Sequence, residues 1–135
     1  MKSPQDIVNE MMNQDAFSHW LGIRILEVEA GFCKLTATVR PEMLNGHQTG
    51  HGGISYSISD SALAFASNSR GQKAVSIETS IAHIAPIFAG DELLVICREI
   101  NCGKTIGRYE SIVYNQNQKI IAKFNGTVFR HPELW

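Results

Sequence analysis

Asp60 and Gly52 are the residues of this chain best suited to act on a carbonyl group, and they lie eight positions apart in one stretch, NGHQTGHGGISYSISDSALAFASNS, residues 45–69. An N–H at the start of a helix has no intrahelical partner and sits at the positive end of the helix dipole, so it can hold a carbonyl oxygen or an anion. Glycine there lets a ligand approach the backbone closely. An aspartate in mid-helix is a poor helix former and buries badly unless something needs it. Eight helical residues cover roughly 12 Å, too far for both groups to meet one small reacting centre. If both act on one substrate, two chains must supply them.

The elements that position these residues follow from periodicity. Ile54, Ile58, Ala62, Phe65 and Ala66 recur at helical spacing, which predicts one helix opening at about Gly52 and ending at Arg70-Gly71. At the front of the chain Ser3-Pro4-Gln5-Asp6 reads as a helix start, with Ser3 as N-cap and an apolar stripe of Ile7, Val8, Met11 and Met12 behind it. A second short helical piece, Asp15 to Leu21, ends at Gly22. The methionines, Phe17 and Trp20 could cover an acyl site, but packing against the domain is the more frequent use of such a stripe and is the expectation here. From Ile23 the period becomes two: Ile23 to Glu29, a turn at Ala30-Gly31, then Cys33, Leu35, Ala37 and Val39 alternating with polar residues. After the long helix come strands at Ala74 to Ile84, Glu92 to Ile100, Thr105 to Tyr114 and Ile120 to Phe129, separated by glycine, proline and asparagine turns. Helix, two strands, one long helix and four strands predict an α+β chain, an antiparallel sheet wrapped on a single helix.

The chain has 135 residues, read as one domain spanning 1–135, with 44% hydrophobic and 19% charged residues and a net charge of -1. That balance offers no basic field for nucleic acid or an anionic membrane. No apolar run approaches a membrane span and no export leader is apparent, so the expectation is a cytoplasmic protein. The three cysteines, Cys33, Cys97 and Cys102, lack C-x-x-C spacing and are expected to be buried free thiols.

The helix is rich in small residues, Gly52, Gly53, Ser55, Ser57, Ser59, Ser61, Ala62, Ala64, Ala66 and Ser67, which let a curved sheet approach on several sides. This arrangement is similar to the hot-dog fold, a six-stranded antiparallel sheet around a central helix. His51-Gly52-Gly53 followed by Asp60 makes the likeness specific. With Leu44-Asn45-Gly46-His47-Gln48, Asn68-Ser69-x-Gly71, Phe88-Ala89-Gly90-Asp91 and Gly103-Lys104-Thr105, the chain resembles the PaaI-type acyl-CoA thioesterases of phenylacetate degradation over nearly its whole length. The resemblance implies that the Gly52 amide polarises a thioester carbonyl and that Asp60 of the facing subunit acts as general base or nucleophile. It further implies that Asn45 lies near the thioester or the water, that Ser76 helps orient the water, and that His51 supports the turn. By the same resemblance, coenzyme A enters as part of the substrate with no separate cofactor, and the expected assembly is a homodimer with shared sites, doubled into a dimer of dimers as is common in the family.

For the substrate, Gly53 belongs to the turn, while Tyr56, Leu63 and Ala64 project near Asp60 and would line an acyl pocket suited to an aromatic group. By resemblance that group is a hydroxylated phenylacetyl. Arg70, Lys104 and Arg108 are candidates for the phosphates, although solvated surface charge is the commoner fate of such residues. His51 serves equally well as a cap for the turn or as a chemical group. His47 and His51 have zinc-like spacing but sit in a glycine loop without an acidic or cysteine partner, so no metal is expected. His83 reads as a sheet residue or pocket wall. A serine-hydrolase elbow is absent. The alternatives are a noncatalytic acyl-CoA binding module and a hot-dog hydroxyacyl-thioester dehydratase, which would want a different His and acid pairing.

Overall fold

The computed structural model describes residues 1–135. Its elements in order are α1 (Pro4–Gln14), α2 (Ala16–Trp20), β1 (Arg24–Glu29), β2 (Phe32–Thr38), a short 3-10 turn (Pro41–Met43), α3 (Gly52–Asn68), β3 (Gln72–His83), β4 (Glu92–Cys102), β5 (Ile106–Tyr114) and β6 (Ile120–Leu134). The strands form one antiparallel sheet in the order β1-β2-β4-β5-β6-β3, and α3 touches all six. This is the hot-dog fold expected from the sequence.

Period-two burial explains the sheet. Cys33, Leu35 and Ala37 of β2, Leu93, Val95 and Cys97 of β4, and Tyr109 and Val113 of β5 all point to the helix side and are buried. Opposite them α3 buries Ile58, Ala62, Leu63, Phe65 and Ala66. Its buried serines satisfy themselves on the helix: Ser59 Oγ donates to Ser55 O at 2.7 Å and Ser55 Oγ to Gly52 O at 3.2 Å. Small hydroxyls bonded in this way let the sheet close on the helix with their polar atoms paired, whereas Ser111 Oγ of β5 is buried without a hydrogen-bond partner. Gly126 of β6 shows how near that approach is, since a Cβ there would lie 2.5 Å from Leu63 Cδ2.

α1 opens with a capping box in which Ser3 Oγ accepts from the Asp6 N–H, an arrangement typically worth about 1 kcal/mol. It packs through Ile7 and Val8, with Met11 and Met12 half-buried against the core. Phe17 and Trp20 depart from the packing expectation. They are 55% and 47% exposed and stack on each other at 6.1 Å, with the Arg40 guanidinium over Trp20. α2 is a short helix that turns its aromatic side chains outward. Cys102 likewise is only half-buried, whereas Cys33 and Cys97 are buried cross-strand neighbours. Burial pushes the Cys97 thiol up to about 12, which makes it unreactive.

Several strand ends differ from expectation by one or two residues, and the end of β6 by five. β3 begins at Gln72 rather than Ala74, and β6 continues past Phe129 to Leu134 despite Pro132. Past Arg130, whose N–H still donates to Thr105 O at 2.7 Å, β6 pairs with β3 alone, and a register slip between Gln72 and Ala74 accommodates the proline. The sheet has two unlike edges. β1 is short, charged and bulged, while β3 is 12 residues long and exposes Val75 and Ile77 along its free side. A long apolar edge of this kind is a template for pairing with another chain.

Candidate active site

The N-terminus of α3 is shaped by its cap. His51 is the N-cap residue, and its Nδ1 accepts the Gly53 N–H at 2.9 Å. Its own N–H donates to Met43 O at 2.8 Å, and the Gly50 N–H donates to Ile87 O. The Gly52 N–H donates to no group of the chain. It opens on a cleft of about 320 Å³ lined by Gly50, Ser55, His83, Ile84 and Ile87 among others. His83 lies so close that a Cβ on Gly52 would be 3.2 Å from its Nε2, and its Nδ1 is 3.4 Å from Ser55 Oγ. His83 is therefore a wall of this cleft.

Asp60 lines a different cleft, of about 380 Å³. Its carboxylate is half-buried and has no hydrogen-bond or ion-pair partner in the chain. Burial raises its pKa above the ordinary aspartate value, and the nearby Asp15 carboxylate adds to the shift. Asp15 is itself held as the N-cap of α2 by the Ser18 N–H and hydroxyl, and Ser18 Oγ lies 2.9 Å from Ser61 Oγ, next to Asp60 in the chain. Ser76 shares the Asp60 cleft, as do Leu63 and Ala64.

Other residues singled out in the sequence lie elsewhere. Gly53 spends its amide on His51 and lines neither cleft. The Tyr56 hydroxyl is paired with that of Thr79, and its ring sits edge-on to Phe124 at 5.4 Å, so it ties α3 to β3 and is absent from the Asp60 cleft. Asn45 Oδ1 organises its own loop, accepting the His47 N–H at 2.8 Å and the Thr49 hydroxyl at 3.2 Å. Arg70 is ion-paired with Glu99, Nε to Oε2 at 3.1 Å. Lys104 and Arg108 are exposed around the β4–β5 turn and line neither cleft. No group of three or more His, Cys, Asp or Glu residues is disposed to hold a metal ion.

Among the residues of the Asp60 cleft that the sequence did not single out are Asn68, Lys73, Val75 and Trp135. Asn68 and Val75 fall on predicted elements, but no local pattern marks them as cleft residues. Trp135 lies beyond the predicted end of its strand.

The pattern of the family described as the thioesterase superfamily matches residues 47–122. Among curated proteins, the acyl-coenzyme A thioesterase PaaI of Escherichia coli is 42% identical over 120 residues, covering 89% of this chain and 86% of the relative. The solved structure of the E. coli PaaI protein from the phenylacetic acid degradation operon superposes with a TM-score of 0.95 at 38% identity, covering 97% of this chain and 95% of that one. A Streptococcus mutans protein solved with acetyl CoA bound has a TM-score of 0.81 at 27% identity, covering 84% and 91% of the two chains.

Proposed function

The chain belongs to the thioesterase superfamily, and from that premise we propose that it hydrolyses acyl-CoA thioesters to free acid and coenzyme A, with aryl groups of the hydroxylated phenylacetyl type preferred. The carrying observation is Asp60, a half-buried carboxylate bonded to nothing in its own chain and raised in pKa within an apolar cleft. Such a group costs the fold something and does no structural work, the usual mark of a residue kept for chemistry.

In this reading the thioester carbonyl accepts the unpaired Gly52 N–H, which stabilises the developing oxyanion by roughly 3 kcal/mol if it behaves like other such donors. Asp60 removes the proton from an attacking water, a contribution of about 10² to 10⁴ in rate, or attacks the carbonyl carbon itself to form a mixed anhydride that water then opens. The C–S bond breaks, the sulfur leaves as thiolate, and the proton taken by Asp60 passes to that thiolate or to solvent. Ser76 stands beside Asp60 to orient the water, His51 holds the turn as its cap, and Asn45 sets the loop before it. No cofactor is required beyond the coenzyme A of the substrate. Because Arg70 is engaged by Glu99, Lys104 and Arg108 are the freer cations for phosphate.

Gly52 and Asp60 of one chain open on separate clefts, which supports a site shared between protomers, the amide from one and the carboxylate from the other. Pairing of two β3 edges supplies the dimer, and a dimer of dimers is its extension. The test is thiol release from a panel of aryl and alkyl acyl-CoAs by the protein and its Asp60→Asn variant. A loss of about 10² or more in turnover with substrate still bound is expected. Equal hydrolysis by both removes Asp60 from the chemistry, binding without hydrolysis by either leaves an acyl-CoA binding module, and much faster cleavage of short aliphatic thioesters rejects the aryl assignment.

A further inference from the structure

Five residues of β6 beyond Phe129 bring Trp135 back to the cleft that contains Asp60. Its indole is held there by contacts from three directions. The Trp135 backbone N–H donates to Gly71 O at 3.0 Å, and Nε1–H donates to Asn68 Oδ1 at 2.9 Å. Lys73 Nζ lies 5.3 Å from the ring centroid and is itself tied to Glu133 Oε1 at 2.8 Å. Asn68 is a rigid anchor, since it is buried and its amide also donates to Ala64 O and Ala74 O while Oδ1 accepts the Ala74 N–H. A flat ring immobilised in this way loses little further entropy when a ligand packs on it, the condition under which an aromatic surface contributes most to recognition. The same cleft is lined on its apolar side by Met11, Leu63, Val75 and Val128.

We propose that Trp135 is a specificity-determining wall of the acyl pocket, against which an aromatic acyl group packs while its thioester carbon faces Asp60. The proposal rests on the hydrolase reading for its kinetic consequence, though not for its binding consequence. Offset or edge-on aromatic pairing adds to plain burial, so the wall favours arylacetyl over acetyl thioesters. It also gives Lys73 and Asn68 a positioning role, because they fix the ring rather than touch the acyl group.

Two measurements test it. In the first, kcat/KM is compared for phenylacetyl-CoA and acetyl-CoA with the wild type, Trp135→Ala and Trp135→Phe. The alanine variant is expected to lose about tenfold on the phenylacetyl thioester and less than about threefold on the acetyl one, with phenylalanine restoring most of the difference. In the second, Trp135 is made the sole tryptophan by Trp20→Phe, with Asp60→Asn to stop turnover, and its emission is followed during titration with phenylacetyl-CoA and with coenzyme A alone. A change specific to the phenylacetyl thioester is expected. An equal loss on both substrates, or an unchanged ratio, overturns the wall as a kinetic determinant and assigns Trp135 to structure. Identical emission responses to the two titrants overturn its contact with the acyl group. If the wild type hydrolyses neither thioester, the hydrolase reading fails while the emission titration still decides whether Trp135 meets the acyl group.

Discussion

Gly52→Ala separates the structural role of the α3 N-terminus from the oxyanion role proposed for it. Glycine at this position has an ordinary backbone, without a positive φ, so alanine introduces no strain of the left-handed kind. Alanine in place of glycine in a helix gains up to about 1 kcal/mol from propensity, and less at a first-turn position. Against that, the new Cβ would lie 3.2 Å from His83 Nε2 and 3.3 Å from Cε1, tight contacts that an exposed imidazole relieves by a small rotation. Net stability is therefore expected to stay within about 1 kcal/mol of wild type. Activity should behave differently. In a helix the Cβ tilts toward the N-terminus, the direction in which the unpaired N–H points, so the methyl group and the displaced imidazole enter the space a carbonyl oxygen needs at about 2.9 Å from the nitrogen. Losing an oxyanion donor costs about 10² to 10³ in kcat. Thiol release under saturating acyl-CoA, with urea unfolding of the same preparations, reads both quantities. A stable variant with full turnover would refute the assignment of the Gly52 amide to the carbonyl.

Asp60 makes a second, opposite pair of outcomes visible. Its pKa is raised in the folded chain, first by burial and then by Asp15, so between the unfolded and folded values the native state binds more protons than the unfolded one. Stability therefore falls as pH rises through that window and stays lower above it. Asp60→Asn should be more stable than wild type at pH 8, by no more than about 1 kcal/mol because solvent screens a half-exposed group, with the difference shrinking as pH falls and vanishing below about pH 3, under the unfolded aspartate value. A less stable asparagine variant at pH 8 would contradict a carboxylate held at the fold's expense. At the sheet edge, Ile77 is 57% exposed, so Ile77→Lys should change the stability of the folded chain by no more than about 0.5 kcal/mol. By placing a charge on the free β3 edge it should shift sedimentation toward the monomer and remove turnover with it. A lysine variant that remains dimeric and active would place the interface elsewhere.

Local pattern was enough for the six strands, the long helix and its glycine-bearing start, because each depends on a period or a backbone requirement that neighbouring residues carry. The spacing of Gly52 and Asp60 also foretold that one chain presents them apart, since helical rise is the same in every protein. The destinations of long side chains were not legible in this way. Arg70 is taken by Glu99, 29 residues away, and Tyr56 by Thr79, so neither is where helical projection alone would put it. Phe17 and Trp20 face outward while the α2 segment is buried through Ser18 and Leu21 instead. Trp135 is the clearest case. Its place beside Asp60 follows from β3 pairing with β6 at the far edge of the sheet, with a register slip that carries β6 past Pro132. The sequence by itself determined the elements and the fold, and it put forward Asp60 and Gly52 as the candidate reacting groups. Tertiary structure alone decided which side chains share a cleft, because that depends on strand order and register between segments remote in the chain, where no local period carries information.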